Sequence, residues 1–216
     1  IVWCAPFAYL IGLWGTGYRW HVLLTDLGVA FSVVQGLCGY VIAAFYNLIL
    51  PGGVGGDIVR VAYAKKRTGE GIGFLTGGVL LERFFGSMVA FQIGALSVLF
   101  LPSEMFHQLG MVTIILIVGS ALILTLEMLA FFFYWPKLCA FFERKIKKRK
   151  ILNKILSFGS RLSELSWSAR IRIIGGTAVY QFGDAFATYL IARAIGLDIP
   201  LVVFLMLNPL LYLSMV

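Results

Sequence analysis

Apolar runs and short polar joints alternate along the chain. The runs cover approximately 1–17, 27–50, 71–101, 110–135, 173–195 and 201–216. The polar joints between them read "YRWHVLLTD", "LPSEMFHQLG" and "GLDIP". A run of about 20 apolar residues is what an α-helix needs to cross the hydrocarbon of a bilayer, and these runs lack the apolar/polar alternation of barrel strands. The expected fold is all-α: a polytopic helical membrane protein forming a single transmembrane domain over 1–216. The chain opens on "IVWCAPFAYL" without a basic leader and closes on "LLYLSMV" inside an apolar run, so we expect an excerpt of a longer membrane chain.

One joint is long. Between residues 137 and 172 lie 11 of the 18 basic residues, opposed only by Glu143 and Glu164. Such clustering marks a cytoplasmic loop facing anionic lipid rather than a nucleic-acid binder. Within it Ile151, Ile155, Phe158 and Leu162 recur at helical spacing, with Lys150, Lys154 and Arg161 on other faces. Two readings stay open for this stretch, a helix lying on the membrane surface and a solvated linker with a mildly apolar face.

Composition sharpens the class. The chain is 60% hydrophobic and 13% charged, against about 25% charged in a soluble domain. We expect an integral membrane protein, of the prokaryotic cell (inner) membrane, with the basic loop cytoplasmic. Cys4, Cys38 and Cys139 are scattered without metal spacing, and His21 and His107 are solitary, so neither a disulfide, a metal site nor a cofactor is expected.

Charge also sets a topological problem. Arg19, the segment Arg60 to Arg67 and the long basic loop should all be cytoplasmic, while the joint around Pro102, which lacks Lys and Arg, should be external. A simple crossing by 27–50 puts Lys65, Lys66 and Arg67 on the wrong side. Parity is restored if the chain from Leu27 to about Val61 enters, turns within the membrane at "PGGVGG", and returns. Pro51 cannot continue a helix, and Gly52, Gly53, Gly55 and Gly56 tolerate backbone angles closed to other residues. The expectation is a re-entrant broken helix, with an ordinary glycine-rich turn as the plainer alternative. Non-helical backbone at membrane depth survives only against protein or a water-filled cavity, so re-entry implies a polar hollow.

The charged residues inside apolar runs point to the same place. Arg60 follows Asp57 by three residues, on one helix face. Glu82 and Arg83 fall roughly 16 to 18 Å along a helix starting at Gly71, near mid-bilayer. Ionisable groups there mark a functional site by default. Asp184 and Glu127 are further mid-span acids, the latter undecided between bundle contact and cavity. Arg193, close to Gly196, is expected to snorkel to the interface. Two arginines beside a glycine turn that opens a helix make an anion receptor, and in a membrane the available anion is a lipid headgroup.

The stretch "NLILPGGVGGDIVR" followed about twenty residues later by "LLERFFG" resembles the signature of the lysylphosphatidylglycerol synthase transmembrane family, a flippase-like membrane domain. "YRWHVLL" and "YLIARAIGLDIPL" are similar to weaker motifs of that family. The resemblance implies a substrate-binding set of Asn47, Pro51, Gly52, Gly55, Gly56, Asp57, Arg60, Glu82 and Arg83, to which Asp184 is added from its mid-span position. It also implies one part of an inverted-repeat architecture and movement of an anionic phospholipid or other amphipathic lipid between leaflets. The alternatives are a membrane enzyme or enzyme subunit acting on a lipid-linked phosphate or sugar, and a structural scaffold. A membrane lipid is the expected partner; a homo-oligomer and a partner glycosyltransferase or lipid synthase are left open.

Overall fold

The computed structural model describes residues 3–49, 55–108, 110–111, 113–115, 117–126, 129, 134 and 165–214. Pro51, Gly52, Glu127, Cys139 and the body of the basic loop lie outside them. Among the described residues the chain is all-α, without strands. Its helices are α1 (Cys4–Asp26), α2 (Val33–Ile49), α3 (Gly55–Thr68), α4 (Ile72–Ser97, extended by a 3-10 turn to Phe100), α5 (Ser103–Gln108), α6 (Trp167–Ala194) and α7 (Leu201–Ser214). Among the described residues, Ile72–Phe100 is the helix long and apolar enough to cross a membrane by length and composition.

The centre of the bundle is an antiparallel crossing of α1 and α6 at small residues. A Cβ on Gly15 would lie 2.6 Å from the Gly176 carbonyl oxygen, and one on Gly183 would lie 2.8 Å from the Gly12 nitrogen. Backbones this close gain dispersion contacts that lipid tails cannot offer, which is the usual way helices associate where apolar burial supplies no drive. At one end Asp26 ties the two helices, its carboxylate accepting from the Ser166 amide at 2.7 Å and the Ser166 hydroxyl at 2.8 Å. Ser166 in turn caps α6 by accepting from the Ala169 amide.

The sequence pattern placed a polar joint at 18–26, but α1 continues through it to Asp26. The reason is Arg19, which is 4% exposed and paired inside the bundle, so its charge needs no interface. The helix expected from Leu27 starts instead at Val33. The six residues between fold inward, burying Val29 and Phe31 against Trp20, Leu24, Ala64, Leu75 and Leu165.

That apolar cluster joins the end of α1, the last turns of α3 and the starts of α4 and α6 at one end of the molecule. The same end carries Lys65, Lys66, Arg67 and Arg172, all exposed. α2 leaves this end and α3 returns to it as an antiparallel hairpin: Gly56 lies against Ala43 and Asn47, and Gly39 against Arg60 and Tyr63. Gly69, at φ 75°, then closes α3 in the left-handed region that glycine adopts without a Cβ clash, and α4 starts three residues later. The hairpin therefore begins and ends at the basic end, and α4 runs from there to the other.

Candidate functional site

The charged residues singled out by position meet where α1, α2, α3, α4 and α6 converge. Glu82, on α4, is 2% exposed and holds both carboxylate oxygens on guanidinium groups. Arg19 donates from Nε to Glu82 Oε1 at 2.8 Å, and Arg60 donates from NH1 to Glu82 Oε2 at 2.7 Å. The Tyr40 hydroxyl also donates to Glu82 Oε1. A further hydrogen bond of Arg19, donated from NH1 to Thr177 Oγ1 at 2.9 Å, reaches α6. Glu82 thus fastens α1, α2 and α3 to α4 through charge-assisted bonds, roughly twice as strong as neutral ones.

Arg60 is held on its faces as well as its edges. Its guanidinium carbon lies 4.7 Å from the Trp20 ring centroid and 4.2 Å from that of Tyr40. Sandwiching between aromatic faces is a guanidinium property that an ammonium would not reproduce. Two buried donors, Trp20 Nε1 and Arg60 Nε, have no hydrogen-bond acceptor among the described residues.

A second pair lies toward the hairpin apex. Asp57, in the first turn of α3, accepts from Arg60 NH2 at 3.1 Å through one oxygen and from Arg83 Nε at 2.6 Å through the other. The Arg83 and Asp57 side chains are 22% and 19% exposed, whereas those of Arg60 and Glu82 are 2% and 1%. The cluster has a closed floor and an accessible lip. Among the described residues three guanidinium groups, of Arg19, Arg60 and Arg83, face two carboxylates, of Asp57 and Glu82, which leaves one net positive charge. Above the lip the Gly56 amide donates to Asn47 Oδ1 at 2.8 Å, closing α2 onto the first turn of α3.

A model of the lysylphosphatidylglycerol synthase transmembrane region matches residues 1–216, the whole chain. The protein belongs to that family. It is accordingly a membrane protein of a lipid-related family. Neither curated proteins nor solved structures gave a match.

Of the residues expected at a lysylphosphatidylglycerol synthase transmembrane site, the structure brings Asp57, Arg60, Glu82 and Arg83 into one bonded group, with Asn47, Gly55 and Gly56 at the hairpin that carries it. Pro51 and Gly52 fall outside the described residues. Asp184 stands apart on α6, seven residues or about 10 Å beyond Thr177. Arg193 pairs with exposed Asp198 near the end of α6. Arg19, Trp20, Tyr40 and Thr177 belong to the cluster and were not singled out. The signal for Arg19 and Trp20 is present in "YRWHVLL", a stretch that reads as a joint and is also similar to a weak motif of the family; Tyr40 and Thr177 carry no local pattern that sets them apart.

Proposed function

We propose that this protein moves a phospholipid, or another amphipathic lipid with an anionic headgroup, between the leaflets of its membrane. The headgroup phosphate is received at the Asp57–Arg83 lip. The observation that carries this reading is the accessible pair itself: the Arg83 guanidinium of α4, one-fifth exposed and beside a buried ion cluster, held by Asp57 on a hairpin of two short helices. The 17 residues of α2 and 14 of α3 span about 25 and 21 Å. Each is shorter than the hydrocarbon core of about 30 Å, and both start or end at the basic end, so the apex is read as lying within the bilayer. An arginine there requires a counter-ion. Asp57 supplies one in the lipid-free state, and a phosphate, matching the same planar donors, exchanges with it when lipid arrives.

The test is translocation of acyl-labelled phosphatidylglycerol by the natural full-length protein in proteoliposomes, followed by quenching with an external reductant. Arg83→Ala is expected to reduce the rate by at least about tenfold while the protein stays monodisperse in detergent. Translocation by Arg83→Ala at the unmodified rate would refute the reading and leave the cluster as scaffold.

A further inference from the structure

Arg60 carries a donor that its surroundings do not use. Its NH1 donates to Glu82 Oε2 at 2.7 Å and its NH2 to Asp57 Oδ1 at 3.1 Å, while Nε has no acceptor among the described residues. The side chain is 2% exposed, so bulk water does not serve the idle donor either. A buried donor on a charged group forfeits a bond stronger than a neutral one when left without an acceptor, and such a group calls for an explanation.

Its position supplies one. In a guanidinium the Nε–H and one N–H of NH2 point the same way along one edge, spaced to match the two oxygens of a carboxylate. Asp57 stands at that edge with one oxygen only. Its 3.1 Å contact with NH2 is longer than the about 2.7–2.9 Å usual between guanidinium and carboxylate, whereas its other oxygen lies 2.6 Å from Arg83 Nε. Asp57 is therefore shared unequally, drawn to Arg83 and half-engaged with Arg60. Turning the carboxylate about its Cβ–Cγ bond, a broad torsion, carries the second oxygen from Arg83 toward Arg60 Nε. Asp57 stays in the first turn of α3, where the helix dipole favours an acid, and the Arg60–Glu82 bond on NH1 is untouched.

Resting on the reading of Arg83 as the headgroup receptor, we infer that Arg60 is a positioning residue whose Nε–NH2 edge captures Asp57 when an anionic headgroup takes Arg83. In the lipid-free state Asp57 bridges the two arginines. With a phosphate on Arg83, Asp57 turns onto both donors of the Arg60 edge, so the carboxylate is drawn away from the incoming anion. Departure of the phosphate returns Asp57 to Arg83. One ion pair replaces another at each step, and no charge is stranded inside the membrane. Glu82, Trp20 and Tyr40 hold the Arg60 plane where this edge is presented. A lysine at 60 would keep the charge but has no such edge.

The test uses the full-length protein in detergent with phosphatidylglycerol as the probe, and has two readouts. In the first, Arg60→Lys is expected to weaken equilibrium binding of the lipid about tenfold in the wild-type background and by less than about twofold in an Asp57→Asn background, where there is no carboxylate to capture. A loss of equal size in both backgrounds, or none in the wild type, overturns the capture and leaves Arg60 as scaffold. The second readout needs no substitution. In arginine-15N-labelled wild type, the Arg60 Nε–H resonance, recognised by its contacts with the Trp20 and Tyr40 rings, is expected to move downfield and to exchange more slowly with water when the lipid is added. A resonance indifferent to saturating lipid overturns the capture even where Arg60→Lys fails to fold. Arg83→Ala separates the two failures: if it binds the lipid as tightly as wild type, the headgroup reading itself is wrong. If binding requires Arg83 while the Arg60 Nε–H does not respond, only the capture is wrong.

Discussion

The floor of the charge cluster and its lip use the same chemistry, guanidinium on carboxylate, under different exposure. On the floor, Glu82 bonds Arg19 and Arg60 with all side chains 5% exposed or less. At the lip, Asp57 and Arg83 pair at a similar distance, 2.6 Å, but about one-fifth open. A closed pair cannot exchange partners without exposing an uncompensated charge, so the floor is suited to hold helices together. A pair that solvent or a headgroup can reach loses little when its partner is exchanged. The floor is architecture and the lip, on the proposed function, is the working surface.

The contrast is broken most severely by Glu82→Ala. It strands two buried guanidinium groups, and removing one partner of a buried pair costs about 3–5 kcal/mol. The expected outcome is loss of the monodisperse species in size-exclusion chromatography, or a large fall in thermal midpoint in detergent. Retention of wild-type stability would mean that the floor is not what joins α1, α2 and α3 to α4.

Next in size is Gly56→Ala. The added Cβ would sit 2.4 Å from the Ala43 carbonyl oxygen, which as backbone cannot yield without parting α2 from α3, and 2.6 Å from Asn47 Oδ1, whose side chain would have to turn away from the Gly56 amide. Overpacking of this kind costs about 1–3 kcal/mol. Because α3 carries both Asp57 and Arg60, the change is also expected to reduce lipid transport, unlike a mutation of equal cost at the α1–α6 crossing. Comparing midpoint and transport for Gly56→Ala and Gly15→Ala checks this.

These glycines also show how far the sequence could be read. The helices were legible because apolar runs of near-crossing length leave few alternatives, and Gly55 and Gly56 announced a helix start after a break. Asp57 with Arg60, and Glu82 with Arg83, were legible as groups because a three-residue spacing and a mid-helix depth are local properties. The reach of Glu82 to Arg19, 63 positions away, and of Arg19 to Thr177, 158 away, is not local. An internally paired arginine looks the same in sequence as one at an interface. For that reason 18–26 read as a joint, and Arg19 counted as a topological marker instead of a site residue. The apolar stretch 27–32 misled in the opposite sense: its burial comes from folding inward under Trp20 rather than from helix.

A smaller effect is expected for Asn47→Ala. It leaves the Gly56 amide without its side-chain acceptor, an N-terminal capping loss of about 1 kcal/mol. Asn47→Asp keeps an acceptor and should restore the midpoint, which distinguishes the capping bond from simple loss of volume.

The smallest stability effect is expected where the proposed functional effect is large. A double-mutant cycle of Asp57→Asn and Arg83→Gln, read from thermal or denaturant midpoints in detergent, should give a coupling of about 0–1 kcal/mol, as partly exposed ion pairs do. Asp57 also bonds Arg60, so the Asp57 single mutant should cost more than the Arg83 one, and the cycle removes that difference. Repeated with phosphatidylglycerol present, the coupling should fall further, because the headgroup phosphate replaces Asp57 on Arg83. A coupling above about 3 kcal/mol, the range of buried pairs, or one indifferent to lipid, would place Asp57–Arg83 with the floor and remove the distinction on which the proposed exchange depends.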